Sequence, residues 1–136
     1  MNKRGRFLRI KQPTPEMVRG MPGTLFVFDD NMQRTSPSAR AAALRQEPNV
    51  IGLPTRWSLG DGPASGFTDR DWRSNGIFQT ISDAFDVIEA ALLHGRTVVV
   101  PSDGLGTISA DLLRRAPEIH AFITSRLEEL EQDYPG

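Results

Sequence analysis

Apolar positions recur along the chain with two different periods. Ile77, Phe78, Ile81, Phe85, Ile88 and Leu92 advance in steps of three and four, which predicts an amphipathic helix that Gly95 brings to an end. Ile119, Phe122, Ile123, Leu127 and Leu130 form a second stripe of this kind, in a helix opened by Pro117. Between the stripes lie short unbroken apolar runs at 24–28, 49–53 and 97–100, each bounded by turn residues. Such runs predict strands covered on both faces, as in a parallel sheet clothed by helices. Thr14, Pro15 and Glu16 supply an N-cap, a first-turn proline and a first-turn acid for a short helix closed by Gly20. Phe7, Leu8, Arg9 and Ile10 fit a short edge strand. Ser36 and Pro37 open a helix through Ala39, Ala43 and Leu44 that stops before Pro48, and another short helix falls near 109–115.

Strands alternating with helices define an α/β chain, and the expected fold is a single three-layer α/β/α domain with a largely parallel, mixed sheet. Residues 58–76 break the pattern with glycines, a proline and aspartates, which predicts a long surface loop, with one helical turn around Asp69, Asp71, Trp72 and Arg73.

Length and composition narrow this further. With 136 residues, 38% hydrophobic and 24% charged, the chain supports one core. It divides into a basic N-terminal arm at 1–12 and one domain at 13–136. Lys3, Arg4, Arg6, Arg9 and Lys11 crowd the start, and Glu128, Glu129, Glu131 and Asp133 the end. A net charge of -1 leaves no overall basic field, so nucleic acid is not an expected partner. There is no cysteine, which excludes disulfides and thiolate chemistry. No apolar stretch is long enough to span a membrane, and the expectation is a cytoplasmic protein.

Candidate chemistry gathers where the strands end, because ligands of parallel sheets bind beyond the carboxyl ends. Three loops converge there, at 29–38, 54–57 and 101–107. In the last, Ser102, Asp103, Gly104, Leu105, Gly106 and Thr107 follow a strand and precede a helix; the two glycines permit the close backbone approach an anion needs, and a plain strand-to-helix turn is the other reading. Asp30 and Asn31 brace the local backbone or, in a site, supply a general base and an amide for a ribose hydroxyl. Arg56 either clamps a phosphate, with Trp57 stacking on a base, or makes a surface ion pair while Trp57 packs under the long loop. No histidine joins Asp30 and Asp103, so no metal is expected, and His94 and His120 complete no triad. Both lysines fall in the first eleven residues, which excludes a P-loop lysine.

The sequence of loops, Val27-Phe28-Asp29-Asp30-Asn31, then Ile51-Gly52-Leu53-Pro54-Thr55, then Pro101 through Thr107, resembles a group of small uncharacterised phage and bacterial domains. Those domains look like distant relatives of macro domains, which bind ADP-ribose. The resemblance implies a macro-like fold, Asn31 on the ribose, and Ser102, Gly104, Leu105, Gly106 and Thr107 around the phosphates. Asp29 departs from the group's glycine before Asp-Asn, residues 34–38 from its double-glycine turn, and Ile108 from a further glycine. The implied function is binding of an ADP-ribose-like nucleotide, extended to hydrolysis if Asp30 activates a water, with no cofactor. The rival is a non-catalytic module that kept the fold, lost the pocket and binds a protein partner.

Overall fold

A computed structural model describes residues 4–11, 13–34, 39–58, 63–73, 76–102 and 108–136. The chain runs β1 (Arg6–Ile10), α1 (Pro15–Gly20), β2 (Leu25–Asn31), α2 (Ala39–Arg45), β3 (Val50–Arg56), α3 (Asp69–Trp72), α4 (Ile77–Leu93), β4 (Thr97–Pro101), α5 (Ile108–Arg115) and α6 (Pro117–Asp133). Local chemistry explains the ends of these elements. The Thr14 hydroxyl accepts from the Met17 N–H, and Pro15 fills the first helical position of α1. At the end of α4, Gly95 adopts a positive φ of 86°, its N–H donates to the Leu92 carbonyl, and the Arg96 N–H donates to that of Ala91. This pattern closes a helix with its last carbonyls satisfied. Ser36 and Pro37, expected to open α2, lie outside the described residues.

The four strands form one sheet in the order β1-β4-β2-β3, and every pairing among these strands is parallel. The mixed sheet allowed for in the sequence is thus a parallel one here. From β1 to β3 the chain advances in one direction across the sheet, and from β3 to β4 it turns back. Crossovers of one hand then place α1 and α2 on one face and α4 on the other. The core divides accordingly. Val18, Phe26 and Val99, with Leu8, Met17 and Leu44, fill the α1/α2 side. The larger side packs Val27, Leu53, Val98 and Val100 under Ile81, Phe85 and Ile88 of α4 and Ile119, Ile123 and Leu127 of α6. The result is a three-layer α/β/α domain. Asn49, just before β3, is buried and its amide nitrogen bonds the carbonyls of Val18, Met21 and Thr24, tying α1 and the following turn to the sheet.

Two points go beyond the sequence reading. The edge strand expected at 7–10 is β1, so the basic stretch carries a strand of the sheet, and the C-terminal segment covers its outer edge. The Phe7 N–H donates to the Tyr134 carbonyl at 2.7 Å, Phe7 bridges Pro135, and Arg9 pairs with Glu131 at 3.1 Å. The reason is physical: Phe7 is apolar enough to enter the core, and an uncovered strand edge invites pairing. The long loop is also less open than its composition suggested. Phe67 is fully buried, Gly66 bridges Arg56, and the Trp57 N–H donates to Ser65. Trp57 meets Phe67 edge-on with ring centroids 5.4 Å apart, and its indole N–H donates to Asp71.

Candidate functional site

The strand ends are built by two irregularities. β2 pairs with β3 along six residues and β4 with β1 along five, but β2 and β4 pair only at Leu25↔Val98 and Phe26↔Val99. Beyond Phe26 the two central strands part. The connection after β2 leads to α2 on one face and that after β4 to α5 on the other, so the strands part where the direction of winding reverses, the position at which open parallel sheets usually form a ligand crevice. The second irregularity is a β-bulge. Asp30 lies opposite Pro54 and Asn31 opposite Arg56, leaving Thr55 as the extra residue, its hydroxyl donating to the Asp30 carbonyl at 3.4 Å. Bulges re-aim the side chains that follow. This one sets Arg56 beside Asn31 at the end of the sheet. The edge position of β3 also explains how it accommodates Pro54, which has no N–H to give.

Asp30 carries the densest network. Its side chain is 0% exposed, and one carboxylate oxygen accepts from Arg45 at 2.7 Å while Arg34 stands 3.6 Å from the same oxygen. The other accepts the Asn31 backbone N–H at 2.8 Å. Arg45 in turn lies over the Phe28 ring, 5.3 Å from its centroid. A buried carboxylate is tolerable when paired and hydrogen-bonded in this way. Gly52 makes the room: a Cβ there would run into the Asp30 carboxylate. A general base must face the water it activates, and this carboxylate faces its cations and the Asn31 backbone. The geometry therefore gives Asp30 the part of a brace that holds the strand end.

Of the other residues singled out in the sequence, Asn31 is 2% exposed and its carbonyl accepts from Arg34 at 3.0 Å. Arg56 is half-buried at the end of β3. Ser102 is exposed just past β4, and its backbone N–H extends the sheet by donating to the Ile10 carbonyl. Asp103, Gly104, Leu105, Gly106 and Thr107 lie outside the described residues. Asn31 and Arg56 are thus brought together, with Asp30 behind them.

Two features escaped sequence reasoning. Arg34 has a left-handed backbone, φ 55°, uncommon for a residue with a side chain. Phe78, read as part of the buried stripe of α4, is 48% exposed and joins Trp72 and Phe122, with centroids 4.9 and 5.0 Å from Trp72. These rings line an open cleft of about 690 Å³, rimmed by Arg73 paired to Glu118 at 2.9 Å. The spacing of Phe78 and Phe122 on two predicted helices was the only available signal for that contact.

The fold and the strand-end crevice define a small doubly wound α/β/α domain. By sequence the chain belongs to a family of unknown function, DUF7831, which it matches over residues 8–126. No curated protein and no solved structure matches it. Among the described residues, no helix is long and apolar enough to cross a membrane, and no group of three or more metal-ligating side chains comes together.

Proposed function

We propose that the chain binds a phosphorylated, nucleotide-type small molecule in the crevice between β2 and β4. The observation that supports this most is the early parting of the two central strands at the point of reversed winding. Arg56, set beside Asn31 by the bulge, supplies a guanidinium for a phosphate, and the Asn31 amide offers both a donor and an acceptor to a ribose hydroxyl. The loops resemble a group of small domains that look like distant relatives of macro domains, which makes ADP-ribose the first ligand to try. Asn31 is covered in the free chain, so binding entails a local opening at the strand ends.

The test is thermal stability against a panel of ADP-ribose, NAD, AMP, cyclic nucleotides and inorganic phosphate. A ligand at about 100 times its dissociation constant adds about 2.7 kcal/mol of stability. One nucleotide raises the transition, and Asn31→Ala and Arg56→Ala each lose that rise while remaining folded. A flat panel with folded protein overturns the reading. The alternative is a protein-binding module, and the partly exposed ring cluster of Trp72, Phe78 and Phe122 is the observation in its favour.

A further inference from the structure

A second pocket lies at the outer edge of β3. It holds about 370 Å³, within the range of small-ligand sites. Its lining is divided chemically. Arg34 enters from the turn after β2, Thr80 and Asp83 from α4, and Ile51, Ala84 and Val87 form an apolar wall. Gly52 adds backbone at the strand edge.

Arg34 is built for an exchangeable contact. Its guanidinium is 61% exposed and stands 3.6 Å from an Asp30 oxygen that Arg45 already holds at 2.7 Å. Two cations thus meet one carboxylate oxygen, and Arg34 is the more distant and more exposed of the two. The left-handed backbone at Arg34 is a strained state that local packing must hold, and such states cluster at ligand sites. On the α4 side, the Thr80 hydroxyl donates to the Gly76 carbonyl and so presents its lone pairs, and Asp83 presents a carboxylate that accepts from Gln79. Acceptors on one wall suit hydroxyl groups. A cation on the other suits an anion.

We propose that this pocket binds a phosphorylated sugar, with its phosphate on Arg34, its hydroxyls on Asp83 and Thr80, and its carbon face against Ala84 and Val87. The pocket adjoins the strand-end site at Arg34, its α4 wall takes no part in that site, and the proposal does not rest on the nucleotide reading.

Ribose 5-phosphate is titrated into the isotopically labelled full chain, with amide shifts followed by NMR. The expected changes centre on Arg34, Gly52, Thr80 and Asp83. Arg34→Gly suits the positive φ, so it melts no lower than the parent chain, yet its affinity for ribose 5-phosphate falls at least tenfold. Val87→Trp narrows the pocket from an exposed position and weakens binding similarly. Asp83→Asn weakens ribose 5-phosphate more than it weakens inorganic phosphate. Three results overturn the proposal: no shift at millimolar probe, shifts confined to Asn31, Arg56 and their neighbours, or unchanged affinity in folded Arg34→Gly and Val87→Trp. Arg34 touches both sites, but the Thr80 and Asp83 amides of α4 belong to the pocket alone, so failure of one site is read separately from failure of the other.

Discussion

Gly52 and Asp30 compete for one volume, and the outcome decides how the end of β2 is held. The Asp30 carboxylate lies where a Cβ of residue 52 would be, flanked by Arg45 and by the Asn31 N–H. Gly52→Ala therefore forces the carboxylate off its partners, at an expected cost of about 1–3 kcal/mol. Asp30→Ala leaves Arg45 without its buried counter-charge and costs about 3 kcal/mol. The two changes are not additive: once the carboxylate is gone the Cβ meets no obstacle, so the double variant is more stable than the sum of the single losses implies. Urea unfolding of all four proteins measures this. Additive losses would mean that the glycine answers to something other than Asp30. The sequence offered Asp30 a role bracing local backbone and a catalytic one, and the bond to the Asn31 N–H belongs to the first; its meeting with Gly52 and Arg45 was not legible. The residue that decides between the two roles is 22 positions away, and the pairing of β2 with β3 brings it near.

At the scale of elements, most of the architecture was written in local chemistry. Thr14 and Pro15 open α1, Gly95 closes α4, and the apolar runs at 24–28 and 97–100 lie in strands buried on both faces. The order of those strands was not legible. Central parallel strands all read as similar apolar runs, and their sequence does not specify which neighbour each will take. The bulge at Thr55 and the parting of β2 from β4 follow from that order and were equally hidden. Edge protection was hidden too, since it depends on the two ends of the chain meeting. Tyr134 is buried and its carbonyl holds the Phe7 N–H, while Pro135 extends the cover. Removing residues 134–136 exposes this edge. Loss of the buried tyrosine alone costs about 3 kcal/mol, by analogy with other large-to-small changes at aromatic positions. The Phe7 amide should then exchange with solvent faster than its neighbours on β4. If Phe7 keeps its protection in the truncated protein, the C-terminal segment is not what covers β1.

Across the whole molecule the same meeting of the ends governs charge. The early cations suggest a basic arm when the sequence is read alone, yet Arg9 pairs with Glu131, Arg4 donates to the Asp133 carbonyl, and the Arg4 guanidinium lies over the Tyr134 ring. Nucleic-acid binding driven by phosphate contacts requires cations free to displace condensed counterions. Here one tail acid, Glu131, pairs with Arg9 and the tail backbone holds Arg4, in a chain of net charge -1. The parent protein is therefore expected to leave labelled single-stranded and duplex DNA unshifted at about 150 mM salt. Replacing Glu128, Glu129, Glu131 and Asp133 with their neutral amide counterparts makes the chain net positive and uncovers the arginines on β1. That variant should acquire weak DNA binding whose affinity falls steeply as salt rises, and Arg4→Ala with Arg9→Ala should abolish it. Salt-dependent binding by the parent chain would contradict this account, because it would mean that the C-terminal segment does not mask the arginines it touches.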